Sequence, residues 1–93
     1  MTVKVVFFTN LAPEIAAEII APAPPSFHVE VHPHDLPPAQ KAALAADADF
    51  LILFPSAIEP EVLRAATRLK LVQLVSAGFD KMPLDVLTEL GIP

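Results

Sequence analysis

Short apolar runs alternate along the chain with stretches that carry helical spacing. Val3 to Phe8 (VKVVFF) is β-branched and aromatic and closes at Thr9-Asn10, which predicts a first strand dense enough in apolar residues for a central place in a sheet. Pro13 suits the first turn of a helix, and Glu14 to Ile20 sets Ile15 and Ile19 on one face and Glu14 and Glu18 on another. Ala21-Pro22-Ala23-Pro24-Pro25 cannot continue that helix and predicts an extended connector. Phe27 to Val31 alternates, with Phe27, Val29 and Val31 on one side and His28, Glu30 and His32 on the other, as a half-exposed edge strand does. Pro37-Pro38 opens a second helix over Ala39 to Ala46, and Asp47-Ala48-Asp49 reads as a solvated turn. Phe50 to Phe54 (FLILF) is a wholly apolar strand ended by Pro55-Ser56. Glu59-Pro60-Glu61 starts a third helix, acidic in its first turn and with Arg64 and Arg68 toward its end. Leu71 to Val75 predicts a fourth strand, central and covered on both faces. A turn of small residues, Ser76-Ala77-Gly78-Phe79-Asp80, follows it, and a last helix from Leu84 to Leu90 stops at Gly91.

Four strands alternating with four helices predict an α/β fold, a parallel sheet with right-handed crossovers. Ile92-Pro93 reads as the lead-in to a fifth strand, so the chain is expected to be a fragment truncated before that strand. A strand left without its neighbour has unpaired backbone groups, which predicts a homo-oligomer formed by edge-strand pairing or by element exchange.

Composition narrows the class. The 93 residues make one small domain, 54% hydrophobic and 18% charged, able to bury roughly 60–65% of its unfolded surface. No apolar run reaches the ~18 residues of a membrane span, and the start is β-like rather than a leader, so a cytoplasmic, non-membrane protein is expected. The absence of cysteine excludes disulfides, thiolate metal sites and a cysteine nucleophile. A net charge of −5 with only six scattered basic residues argues against a nucleic-acid partner.

The turn after the fourth strand is the main candidate for chemistry. Ser76, Ala77 and Gly78 are small, and Gly78 tolerates backbone angles closed to other residues, so main-chain N–H groups there can face an anion. If the strand is parallel to its neighbours, the turn lies at the carboxyl edge, where open α/β sheets bind ligands. Asp80 reads as a local acceptor capping the turn or the next helix. The competing reading is a tight strand-to-helix connection, since a single glycine is a weak signal. His28-x-Glu30-x-His32, with His34 beyond, sets metal-ligand residue types on one strand face. Solvated polar residues on an edge strand account for them, and no metal is assigned.

Residues 69–93, LKLVQLVSAGFDKMPLDVLTELGIP, resemble the family of D-isomer-specific 2-hydroxyacid dehydrogenases. An apolar strand leads to a small-x-Gly-x-Asp turn (Ser76 to Asp80), a helix (Pro83 to Leu90) and a Gly-Ile-x lead-in to the next strand (Gly91-Ile92-Pro93); over residues 1–68 the likeness is one of topology. The resemblance covers the first half of that family's substrate-binding domain and implies a flavodoxin-like fold. It further implies that backbone N–H groups of Ala77 and Gly78 hold a substrate carboxylate, that Ser76 and Phe79 shape the wall, and that Ser56 lines the cleft. Many relatives carry Arg-Ser where this chain has Pro55-Ser56, so the arginine contact is missing. The implied parent is an NAD- or NADP-dependent reductase of 2-keto acids to D-2-hydroxy acids. The family's nicotinamide domain has a Gly-x-Gly-x-x-Gly loop and takes its catalytic arginine, acid and histidine from later sequence. This chain has two glycines, Gly78 and Gly91, so it is expected to bind no cofactor and to be inactive alone, with no catalytic residue assigned to it. The alternative is a stand-alone flavodoxin-like ligand-binding or interaction module. Thr9-Asn10 and Phe54-Pro55-Ser56 lack the acids of a phospho-receiver, and Asn10 to Pro13 lacks a flavin-phosphate loop.

Overall fold

The computed structural model describes residues 3–22, 24–54, 57–75 and 82–92. Their elements are β1 (Val3–Thr9), α1 (Pro13–Ile20), β2 (Phe27–Pro33), α2 (Pro38–Ala45), β3 (Phe50–Phe54), α3 (Pro60–Ala65), β4 (Leu71–Leu74) and α4 (Leu84–Leu90). All strand pairs are parallel, in the order β2-β1-β3-β4. This is the expected α/β, flavodoxin-like arrangement. β1 lies between two partners, and Val5 to Thr9 are all buried, as a central parallel strand covered on both faces requires.

Alternation along the strands assigns the faces. Val6, Phe8, Leu51 and Leu53 form one face and pack with Ala45, Ile58, Val62, Leu63, Val86 and Leu87 into the main core. Each helix on that side begins with a proline at or before its first turn, at Pro38, Pro60 and Pro83, where the missing N–H is no loss. α4 ends at Gly91 in the left-handed conformation, φ +70°, the helix-ending role expected of it. Val5, Val29, Phe50 and Leu71 face the other way. There they border an apolar cavity of about 320 Å³ that Ile19 and Ile20 of α1 also line.

Five expectations are corrected. β4 is an edge strand among the described residues, with β3 as its sole partner. Leu71, Gln73 and Val75 are exposed rather than covered. The apolar spelling of the strand answers to neighbours that these residues do not supply. In α1 the buried residue is Ala16, and Ile15 is 47% exposed. The proline-rich connector forms turns at residues 21–22 and 25–26, with the Phe27 N–H donating to the Pro24 carbonyl at 2.9 Å. Arg68 falls beyond α3, which stops at Ala65. Asp49, expected in a solvated turn, is 5% exposed.

Asp49 is buried because it joins three strands at their amino ends. Its Oδ2 accepts the Lys4 N–H at 2.9 Å. Its own N–H donates to the Lys4 carbonyl and its carbonyl accepts the Lys70 N–H, each at 2.8 Å. Asp47 stays exposed and takes the Lys4 ammonium.

Candidate functional site

The strand order places a topological switch point between β1 and β3, since β1 connects outward to β2 and the chain then returns to β3 on the other side. Ligands of open α/β sheets sit beyond the carboxyl ends of the strands at such a point. Several polar groups converge there. Thr9, the last residue of β1, is buried, and its Oγ1 accepts the Leu11 N–H at 3.0 Å. The His34 N–H, just past β2, is shared between the Thr9 carbonyl and Asn10 Oδ1, both at 3.2 Å. The His34 imidazole reaches over to the β3–α3 connection, where its Nε2–H donates to the Ala57 carbonyl at 2.7 Å. That contact fixes the proton on Nε2.

Lys41 completes the cluster. It lies on the core side of α2 and is 2% exposed, with its Nζ 5.9 Å from the centroid of the Phe8 ring. The ammonium donates to the His34 carbonyl at 2.9 Å and stands 2.8 Å from Glu59 Oε1. That approach is short but poorly angled, so it acts as a charge contact, and no hydrogen bond reaches that oxygen among the described residues. For Glu59, desolvation raises the carboxyl pKa and is the largest influence. The Lys41 contact and the backbone oppose it, and the net position is below the ordinary carboxylate value. Sequence reasoning did not find Lys41, although a signal exists: Lys41, Ala45 and Ala48 recur at helical spacing, and both alanines are core residues.

The residues predicted to bind substrate, Ser56, Ser76, Ala77, Gly78 and Phe79, lie outside the described residues, as does Asp80. What leads to them is described. β3 and β4 run side by side in the same direction, and the Val75 N–H continues their pairing by donating to the Leu53 carbonyl at 3.2 Å. Residues 55–56 and 76–80 therefore follow from the carboxyl ends of adjacent strands.

The three histidines divide. His34 belongs to the switch point, whereas His28 and His32 flank Glu30 on β2. Their Nε2–H groups donate to separate carboxylate oxygens at 2.9 and 3.0 Å, and Lys4 Nζ is 3.9 Å away. Among the described residues no group of three or more His, Asp or Glu side chains is arranged to hold a metal ion. The bonds from His32 and then His28 hold the Glu30 carboxyl below its ordinary pKa of 4.5, against a smaller opposing effect of burial. A carboxylate with a lowered folded-state pKa contributes stability above its unfolded pKa and loses it as pH falls through the folded value. Lowering the pH from 7 to below 4.5 should therefore reduce the urea midpoint, and Glu30→Gln should reduce that drop. Identical pH profiles for wild type and variant would show that the clamp contributes nothing.

The sequence profile of the D-isomer specific 2-hydroxyacid dehydrogenase catalytic domain matches residues 5–93. No curated protein matches the chain. Among solved structures it is similar to a 3-phosphoglycerate dehydrogenase of Entamoeba histolytica, with TM-score 0.81 and 20% identity over 99% of this chain and 32% of that one. It is similar to a D-lactate dehydrogenase of Treponema pallidum, with TM-score 0.74 and 26% identity over 96% of this chain and 28% of that one. A 2-hydroxyacid dehydrogenase of Ketogulonicigenium vulgare gives TM-score 0.70 and 19% identity over 99% and 29% of the two chains. The chain thus spans about three-tenths of the length of these structures.

Proposed function

Because the chain belongs to the D-isomer-specific 2-hydroxyacid dehydrogenase family, we propose that it is the first part of the substrate-binding domain of an enzyme that reduces a 2-keto acid to a D-2-hydroxy acid. The observation that carries this reading is the family match over residues 5–93, laid on a sheet in which β3 and β4 end side by side. In this reading the N–H groups of Ala77 and Gly78 hold the substrate carboxylate, Ser76 and Phe79 wall it, and Ser56 approaches from the neighbouring connection. Oriented backbone amides hold a carboxylate without a cation, which suits a chain with Pro55 where relatives carry arginine.

NAD or NADP supplies the hydride in such an enzyme. The residues of this chain do not fit a dinucleotide: its two glycines, Gly78 and Gly91, cannot form a Gly-x-Gly-x-x-Gly loop. Cofactor binding and proton transfer are assigned to other parts of the enzyme, and this chain alone should be inactive. No described helix is long and apolar enough to cross a membrane, and a cytoplasmic location is part of the proposal. Self-association through β4 is the expected behaviour of the chain in isolation, because one side of that strand is unpaired among the described residues. Light scattering should give a mass that rises with concentration; a constant monomer mass would remove this expectation.

The test of function begins with the intact mass of the native polypeptide captured from its source, followed by assay of that protein with NADH and NADPH against glyoxylate, pyruvate and hydroxypyruvate. A mass about three times that of this chain, with reduction of at least one acid to its D-hydroxy product, supports the reading. A native mass of 10.0 kDa would overturn it in favour of a stand-alone binding module.

A further inference from the structure

The β2–α2 corner and the β3–α3 connection are bound to each other across the switch point by two side chains that the substrate reading does not use. His34 is anchored to β1 through its own N–H and donates from its imidazole to the Ala57 carbonyl. Lys41 donates to the His34 carbonyl and makes a charge contact with Glu59 at 2.8 Å. Glu59 stands at the N-cap position of α3, without a side-chain cap bond, and Pro60 fixes the backbone immediately after it. Pinning Ala57 and Glu59 therefore fixes both the path of the connection and the start of the helix.

Stability alone gives little reason for this arrangement. A lysine that is 2% exposed has lost nearly all of its hydration, and an apolar residue of similar volume often serves a core as well or better. What the hydrogen bond to the His34 carbonyl and the charge contact to Glu59 add is a tie between the two connections.

Resting on the dehydrogenase reading, we propose that Lys41 and His34 are positioning residues: they brace the β3–α3 connection at residues 57–59 against the ends of β1 and β2, and so set how tightly the enzyme holds its 2-keto acid. Ser56 directly precedes Ala57 in sequence. Pro55 stands where relatives carry arginine, so this connection brings no cation of its own there.

The experiment is steady-state kinetics of the native-length enzyme and its Lys41→Met and Lys41→Arg variants, with the 2-keto acid that the wild type reduces best. Lys41→Met keeps the packed stem and removes the ammonium. It should raise KM by about tenfold while kcat stays within about twofold, since a misplaced binding group weakens substrate binding without touching the reacting atoms. Lys41→Arg should restore part of the KM. A purely structural role would instead lower kcat with the folded fraction and leave KM unmoved, and that result overturns the proposal. Where Lys41→Met fails to fold, His34→Ala and His34→Gln decide. KM raised by alanine and restored by glutamine, whose amide can donate to Ala57, supports the brace; equal KM values overturn it. A wild-type enzyme that reduces no 2-keto acid overturns the dehydrogenase reading and the proposal with it, whereas an active wild type with an unmoved KM in the variants overturns the brace alone.

Discussion

Phe8→Ala is expected to lower the unfolding free energy by about 3–5 kcal/mol, the usual range for emptying a buried aromatic site. Phe8 is 0% exposed and sits in β1 between His32 on one side and Leu53 on the other. Its ring is tilted against His32 at 6.3 Å between centroids and lies under the Lys41 ammonium. Truncation thus removes core volume and also the aromatic face opposite a desolvated cation. Native proteins have about 5–15 kcal/mol in total, so the loss takes a large share of the stability. Urea unfolding followed by circular dichroism measures the effect, with Phe8→Leu as the control that retains most of the volume and should cost under ~1.5 kcal/mol. A loss below ~1 kcal/mol for alanine would mean that the core closes over the gap.

Asp49→Ala is expected to cost about 2–3 kcal/mol, because it leaves the Lys4 N–H without its charged acceptor at a partly buried position. Asp49→Asn keeps an acceptor and should lose roughly half as much. The contact between Asp49 and Arg68 has a different weight. It is 3.6 Å long with Arg68 56% exposed, and Arg68→Ala should change stability by less than ~0.5 kcal/mol. Thermal unfolding of the three variants separates the cases. If Arg68→Ala proves as damaging as Asp49→Ala, the aspartate acts as an ion-pair partner and not as an acceptor for the strand.

The contrast between the two sites shows what a sequence can and cannot disclose. β1 and β3 are legible as VKVVFF and FLILF because burial on both faces forces continuous apolar spelling, and the proline and glycine positions mark the helix ends. The same rule misplaces β4. Val72 and Leu74 pack against the core, whereas Leu71 and Val75 on the other face are exposed among the described residues, so the apolar spelling holds on both faces while only one is covered. Asp49 hides for another reason: its acceptor role is defined by Lys4, 45 positions earlier, and no local pattern records such a pairing. Lys41 and Glu59 are joined in the same long-range way across the switch point. The turn proposed from Ser76 to Asp80 follows β4 in sequence and lies outside the described residues. Ile15 and Ala16 show the limit of helical periodicity, which identifies a stripe but not which residue of the stripe meets the sheet.

The strand order also governs how the chain acquires its structure while it is being made. Every pairing in this sheet is parallel, so none can form from a hairpin, and Val5 must wait for Phe50, 45 residues further along. At ~5–20 residues per second this is a delay of about 2–9 s. During that interval a strongly apolar segment of the chain has been synthesised without its second neighbour. The strand that organises the finished sheet is therefore an aggregation hazard of the nascent chain, and chaperone capture during translation should include residues 3–9 until β3 arrives.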